Sequence, residues 1–143
     1  MLIISTRSQH TIAGLGATIS YIESFGFQNI EAWNLKLRNY AYSLISKLTS
    51  LGLSLVSPSP GPLAAPILTV GLPKNVKSSD VAAKMLADFQ CVVKVTGLEV
   101  FPEEGGPTMP PQATRFSFHL FNTMKDVEHL IEAFEKIVRS MLE

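Results

Sequence analysis

Cysteine and charged residues are both scarce in this sequence, and each shortage excludes a class of protein. The 143 residues include one cysteine, Cys91, so the chain has no internal disulfide and no cysteine-based zinc cluster. Charged residues make up only 17% of the chain, and 12 basic residues balance 12 acidic ones. A chain without net charge gives no electrostatic reason to expect binding to nucleic acid or to an anionic membrane.

Long apolar runs are also missing. No run approaches the roughly 20 apolar residues that a membrane helix needs. The first residues, MLIISTR, contain too few apolar side chains for the core of a signal peptide. The three histidines are scattered along the chain, so no metal site is predicted. The apolar share, 46%, is that of a folded domain, and the cytosol is the expected compartment.

The stretch from Ala113 to Thr123, ATRFSFHLFNT, predicts a strand with one buried face. Bulky apolar residues alternate strictly with other residues, which is the period of a strand. The alternation assigns Arg115, Ser117 and His119 to one face and Phe116, Phe118 and Leu120 to the other.

The last helix begins directly after this strand. Thr123 and Asp126 have the three-residue spacing of a capping box. Apolar residues then follow at helical spacing and predict one buried stripe: Val127, Leu130, Ile131, Phe134, Ile137, Val138 and Met141.

Two helices are predicted near the beginning of the chain. The first has an apolar side and, beside it, several small residues that include Gly14 and Gly16, and Gly26 ends it. Because each interior glycine costs about 1 kcal/mol against alanine, the small residues predict close packing of another backbone. The second helix is expected from the N-cap Asn29 to about Leu51, with Lys36, Arg38 and Lys47 on its solvent side and Trp33 as a core or interface anchor.

The middle of the chain alternates between strand and helix patterns. Strands are predicted at 53–56, 67–72 and 91–95, and a helix capped by Ser78-Ser79-Asp80 lies between the last two. That helix is expected to bury Ala82, Met85, Leu86 and Phe89. The predicted fold is therefore α+β: two N-terminal helices followed by β-β-α-β-β-α, in two layers, with helices on one face of a mostly antiparallel sheet.

The motif RFSFHLFNT, followed by an amphipathic helix, resembles the end of class V pyridoxal-phosphate (PLP) enzymes. The resemblance implies that Arg115 holds the α-carboxylate of an amino-acid substrate; the alternative is a solvent-facing arginine on an edge strand. Lys94 occupies a place where relatives carry arginine or lysine, which makes it a candidate cleft residue. His119 is a second candidate, with a surface or interface histidine as its alternative.

A second segment, from Ser5 to Ile19, is similar to the family's G-T-R segment, which opens a long helix. The resemblance implies that Thr6 contacts the cofactor phosphate, commonly the one held by the other subunit of a homodimer. A helix cap is the alternative for Thr6, and Ser5 stands where the family has glycine. The family's lysine that binds PLP covalently follows a histidine, and no lysine in this chain does so.

The resemblance implies a division at residue 27. Residues 1–27 are expected to belong to the end of the large PLP domain or to the linker, and residues 28–143 to form the small domain. The segment after Lys94 lacks the cysteine of the desulfurases, which favours the epimerase-like and aminotransferase branches. We expect a part of an amino-acid enzyme that is catalytically incomplete alone; the alternative is a free-standing binding module, or one that complements a separate large domain.

Overall fold

The computed structural model describes residues 9–96 and 112–143 of the protein. Its elements follow in the order α1 (Gln9–Phe25), α2 (Phe27–Ile45), a 3₁₀ helix (Ser46–Leu51), β1 (Ser54–Leu55), β2 (Ile67–Gly71), α3 (Ser78–Phe89), β3 (Lys94–Thr96), β4 (Ala113–Ser117) and α4 (Met124–Leu142). This succession confirms the predicted α+β fold.

The sheet has four strands in the order β1-β2-β4-β3, and every neighbouring pair is antiparallel. One face packs against helices: the ring of Phe116 on β4 meets that of Phe134 on α4 edge-on, with centroids 5.1 Å apart. Leu68 and Val70 on β2 point to the same face and are fully buried. The alternation that predicted a single buried face of β4 is confirmed.

Helix α4 begins and packs as its sequence predicts. The side chain of Thr123 accepts a hydrogen bond from the backbone N–H of Asp126, and the Asp126 carboxylate accepts one from the backbone N–H of Thr123. The predicted apolar stripe supplies most of the core on this side, with Leu130 and Met141 partly buried and the others buried: Val127, Ile131, Phe134, Ile137 and Val138. Both predictions are confirmed.

The junction between α1 and α2 differs from the prediction. Helix α1 does end at Phe25, and Gly26 has φ = 80°, a conformation that glycine adopts without steric cost. Helix α2 begins at Phe27, however, so Asn29 is not its N-cap. Instead the Asn29 amide donates to the carbonyl of Phe25, 2.9 Å away, and satisfies an end of α1.

Arg38 is fully buried, so the prediction that it lies on the solvent side of α2 is wrong. Helix α2 also stops at Ile45, and the 3₁₀ helix continues to Leu51 before Gly52 ends it in the left-handed conformation. A helical pattern identifies one apolar stripe, whereas the width of the buried side depends on how many elements surround the helix.

Three further predictions fail around α3. Its N-cap is Lys77, without a side-chain cap, because the Ser78 hydroxyl donates instead to the Gln112 side chain at 2.8 Å. Val81 and Met85 are buried, whereas Leu86 is 57% exposed. The run from Cys91 to Val95 forms a strand only from Lys94 onward, and the Cys91 N–H donates instead to the Met85 carbonyl near the end of α3.

Candidate functional site

Arg115 lies near the middle of the sheet, on the face opposite the helix-covered one. Strand β4 pairs with β2 on one side and β3 on the other, so Arg115 is not on an edge strand. Its neighbour Phe116 is buried against the helices, which directs Arg115 to the other face. The residue is partly buried and its backbone is held by strands on both sides. The alternative of an edge-strand arginine is therefore wrong.

A row of three side chains crosses the sheet at this point. Thr69 of β2 and Lys94 of β3 are the direct cross-strand partners of Arg115. Directly opposed residues in antiparallel strands have side chains on the same face, with Cβ atoms about 5 Å apart. We call this side of the sheet the Arg115 face; β2, β3 and β4 place on it Ile67, Thr69, Gly71, Lys94, Thr96, Ala113, Arg115 and Ser117.

Two hydrogen-bonding atoms on the Arg115 face are buried without a partner in the described part of the chain. They are Nε of Arg115 and the hydroxyl oxygen of Thr96. Most buried polar atoms in folded proteins are hydrogen-bonded, because desolvation without a partner is costly. Two such atoms on one face, beside the exposed Lys94, are a set of donors suited to an anion.

His119 lies beyond the end of β4, outside this row. Its backbone N–H donates to the Asn122 side chain at 3.0 Å, and its ring stacks on Phe121 with centroids 5.0 Å apart. Both rings are exposed. The structure therefore brings Lys94 and Arg115 together and separates His119 from them. Thr6 lies outside the described residues.

A recess of about 520 Å³ lies at the end of α3, against the turn that leads into α4. Its lining includes Cys91, His129 and Phe121, and of the residues on the Arg115 face it includes only Ser117. Burial raises the pKa of the Cys91 thiol, and the negative charge of Asp126 raises it further. A thiol with a raised pKa is a poor nucleophile at neutral pH, so Cys91 fits a structural role.

Arg38 was missed because nothing in its local sequence marks it as buried. Its guanidinium donates to the carbonyl of Pro58 and, at 3.2 Å, to the Asn39 side chain, and it lies 5.0 Å from the Tyr42 ring. Burial lowers the pKa of this guanidinium, and Tyr42 opposes the shift. The hydrogen bond to Pro58 attaches the proline-rich loop to α2. The sequence contains one signal for this contact: the backbone carbonyls of the proline-rich loop, SPSPGPLAAP, need hydrogen-bond donors from elsewhere in the chain.

The described residues suit a carboxylate better than they suit the PLP ring. A PLP enzyme that uses the ring as an electron sink places an acidic group beside the pyridine nitrogen. None of the residues that β2, β3 and β4 place on the Arg115 face is acidic. Among residues 9–96 and 112–143, the structure groups no histidine, cysteine and carboxylate side chains as a metal site needs, and no helix has the length and apolarity to cross a membrane.

Comparison with known proteins gives consistent similarities. The family model for class-V aminotransferases matches residues 5–130. A cysteine desulfurase from Thermococcus onnurineus NA1 is 28% identical, with a TM-score of 0.69 over 89% of this chain and 30% of the desulfurase. No curated protein sequence matches.

Two more distant structures share the fold. A cysteine desulfurase from Escherichia coli is 20% identical, with a TM-score of 0.78 over 97% of this chain and 33% of its own. An alanine–glyoxylate aminotransferase from Nostoc sp. is 24% identical, with a TM-score of 0.56 over 81% of this chain and 28% of its own. The chain thus spans about a third of the length of these solved structures.

Proposed function

Because the chain belongs to the class-V aminotransferase family, we propose that it is the C-terminal small domain of a PLP-dependent enzyme in which Arg115 binds the α-carboxylate of an amino acid. The observation that carries this proposal is the buried, unpartnered Nε of Arg115 on a central strand, on the sheet face opposite the helices. The resemblance of the motif to that of the family supports this role, and a buried guanidinium without a partner is compatible with it.

The guanidinium suits a carboxylate because its planar donors match the two oxygens in a bidentate pair. Strand β4 gives it a rigid base, since both neighbouring strands hydrogen-bond to the backbone around Arg115. Such an arginine fixes the orientation of the amino acid by one end. In this proposal Arg115 binds and orients the substrate and takes no part in proton transfer.

The chain is proposed to be catalytically incomplete on its own. PLP, when bound, supplies the electron-withdrawing ring that makes the bonds at the substrate's α-carbon labile. The sequence lacks a lysine after a histidine, the family's context for the covalent attachment of PLP. In the proposed whole enzyme, Thr6 contacts the cofactor phosphate, and a large domain supplies the lysine and the acidic partner of the ring.

The first helix supports a division of the chain into residues 1–27 and 28–143. Every residue from His10 to Tyr21 is exposed, and the side chains of Ile12 and Leu15 are 54% and 61% exposed. An added Cβ at Gly14 or Gly16 meets no atom within 4 Å. We propose that this apolar helix packs against a large PLP domain or the second subunit of a homodimer. The proposed compartment is the cytosol.

The role of Arg115 is testable by NMR on the 143-residue chain. L-alanine is titrated in while the Nε–Hε signals of the arginines are followed. We expect the Arg115 signal to shift, and the signals of buried Arg38 and of Arg139, which pairs with Glu135 at 2.7 Å, to serve as internal references. The Arg115→Gln and Arg115→Lys variants lack this signal, so binding to them is followed by the backbone amide signals of β4: Arg115→Gln should abolish their response and Arg115→Lys should keep part of it. Equal shifts at Arg115 and Arg139 would show non-specific binding and contradict the role.

A second test concerns catalytic incompleteness. The chain is incubated with PLP, reduced with borohydride and mapped by mass spectrometry. We expect scattered, substoichiometric labelling of exposed lysines. A stoichiometric adduct at one lysine would show that the chain holds the cofactor by itself, contrary to the proposal.

A free-standing binding module is the second candidate, and the exposed apolar side of α1 is the observation that favours it. It predicts that the 143-residue chain occurs as such in cells, whereas the enzyme proposal predicts a much larger product. An immunoblot with an antibody against α4 separates the two: a band near 15.6 kDa supports the module. Light scattering on the isolated chain then shows whether α1 associates with a second copy.

A further inference from the structure

The structure places two cations next to each other, although the binding of a single carboxylate requires only one of them. Lys94 and Arg115 are direct cross-strand partners in neighbouring strands β3 and β4. Like charges that face each other directly across an antiparallel pair destabilise the sheet. Within residues 9–96 and 112–143, no carboxylate pairs with either cation, and the ion pair found there joins Arg139 to Glu135 on α4.

Arg115 and Lys94 suit different kinds of anionic group. Arg115 is partly buried and has a desolvated Nε, so it favours one carboxylate held in a fixed, bidentate orientation. Lys94 is exposed and carries a compact charge at the end of a flexible side chain, so it suits an anionic group of variable position. The hydroxyl of Thr96, two residues along β3 on the same face, adds a further unpartnered hydrogen-bonding group.

We infer that this site selects amino acids whose side chain carries a second anionic group. Arg115 binds the α-carboxylate and Lys94 pairs with the acidic group of the side chain, a carboxylate or a phosphate. This assignment rests on the proposed role of Arg115 and adds a substrate class to it. A ligand with two negative charges neutralises both cations, whereas a monocarboxylic amino acid leaves one charge unbalanced beside the other.

The test compares three ligands on the 143-residue chain: L-alanine, L-aspartate and O-phospho-L-serine. Dissociation constants are taken from the shift of the Arg115 Nε–Hε signal. We expect at least one of the two acidic ligands to bind about fivefold more tightly than alanine, the size of an exposed ion pair. A preference for aspartate or for phosphoserine identifies which acidic group the site takes.

Two variants assign the preference to Lys94. Lys94→Gln should remove the advantage of the acidic ligand, measured as the ratio of its dissociation constant to that of alanine in the same variant. Lys84→Gln, which neutralises an exposed lysine on α3, should leave the advantage intact. Because Lys94 is exposed, its replacement leaves the core unchanged, and the Phe116 and Phe134 ring signals verify this.

The possible failures are distinguishable. If Arg115 responds to alanine and aspartate with equal affinity, or if Lys94→Gln leaves the ratio unchanged, this inference is wrong while the role of Arg115 stands. If Lys84→Gln removes the preference as well, the effect is one of net charge, and the inference is again wrong. If no ligand shifts the Arg115 signal, the proposed function itself fails, and the inference fails with it.

Discussion

Helices α1 and α4 both carry apolar residues at helical spacing in the sequence, yet they are opposites in the structure. In α4 the stripe is buried in the core, and Phe134 is 0% exposed. In α1 the corresponding residues face solvent, and Ile12, Leu15 and Ile19 are 44–61% exposed. A periodic pattern therefore shows that a helix has a side to bury, but not that this chain supplies what buries it.

The small residues show the same contrast. Helix α4 has no glycine, whereas α1 has two in its interior. Both positions are surrounded by open space, although glycine inside a helix costs about 1 kcal/mol. A cost without a compensating contact in the described chain supports the proposal that another backbone approaches α1.

The largest expected effect is on the α4 side. Phe134→Ala removes a fully buried ring that packs on Phe116, and we expect it to lower the free energy of unfolding by about 3–5 kcal/mol. The matched change in α1, Leu15→Ala, should alter it by less than about 0.5 kcal/mol. Urea denaturation of both variants measures the difference. Similar losses of unfolding free energy in the two variants would mean that α1 is buried in solution and would contradict the difference between α1 and α4.

An intermediate effect is expected at the helix ends. Thr123→Ala removes the side chain that accepts from Asp126 N–H, and should cost about 1 kcal/mol. Thr123→Ser should restore most of the lost stability, since the hydroxyl is kept.

At the α1–α2 junction, Asn29→Ala removes an exposed hydrogen bond to Phe25 and should cost only a few tenths of a kcal/mol. Thermal unfolding followed by circular dichroism measures all three, and an Asn29 effect as large as that of Thr123 would contradict the ranking.

One change in stability is expected to have the opposite sign. Gly14→Ala should favour α1 by about 0.5–1 kcal/mol in the isolated chain, because an added methyl group meets no atom and alanine favours helix. If a partner backbone packs there, the same change should weaken association. Ser20→Ala, on the same exposed helix, is the control that raises helix propensity without filling a glycine position. Helicity by circular dichroism and association by light scattering are measured together; unchanged association would argue against close packing at Gly14.

Some features were predictable because they depend on neighbours along the chain. The alternation around Arg115 and the spacing of Thr123 and Asp126 are local, and both appear in the structure as predicted. For the candidate site, the sequence indicated residues but not their arrangement. The resemblance to the family singled out Arg115 and Lys94, but the sequence did not reveal that they are opposite each other on adjacent strands.

The sequence by itself determined the type and order of the elements, the buried stripe of α4 and membership of the family. These follow from periodicities, caps and a motif that lie within a few residues of each other. Only the tertiary structure decided that Arg38 is buried, that Asn29 caps the end of α1, and that Lys94 and Arg115 share a row. Burial and strand register depend on contacts between segments far apart in sequence, so no local pattern encodes them.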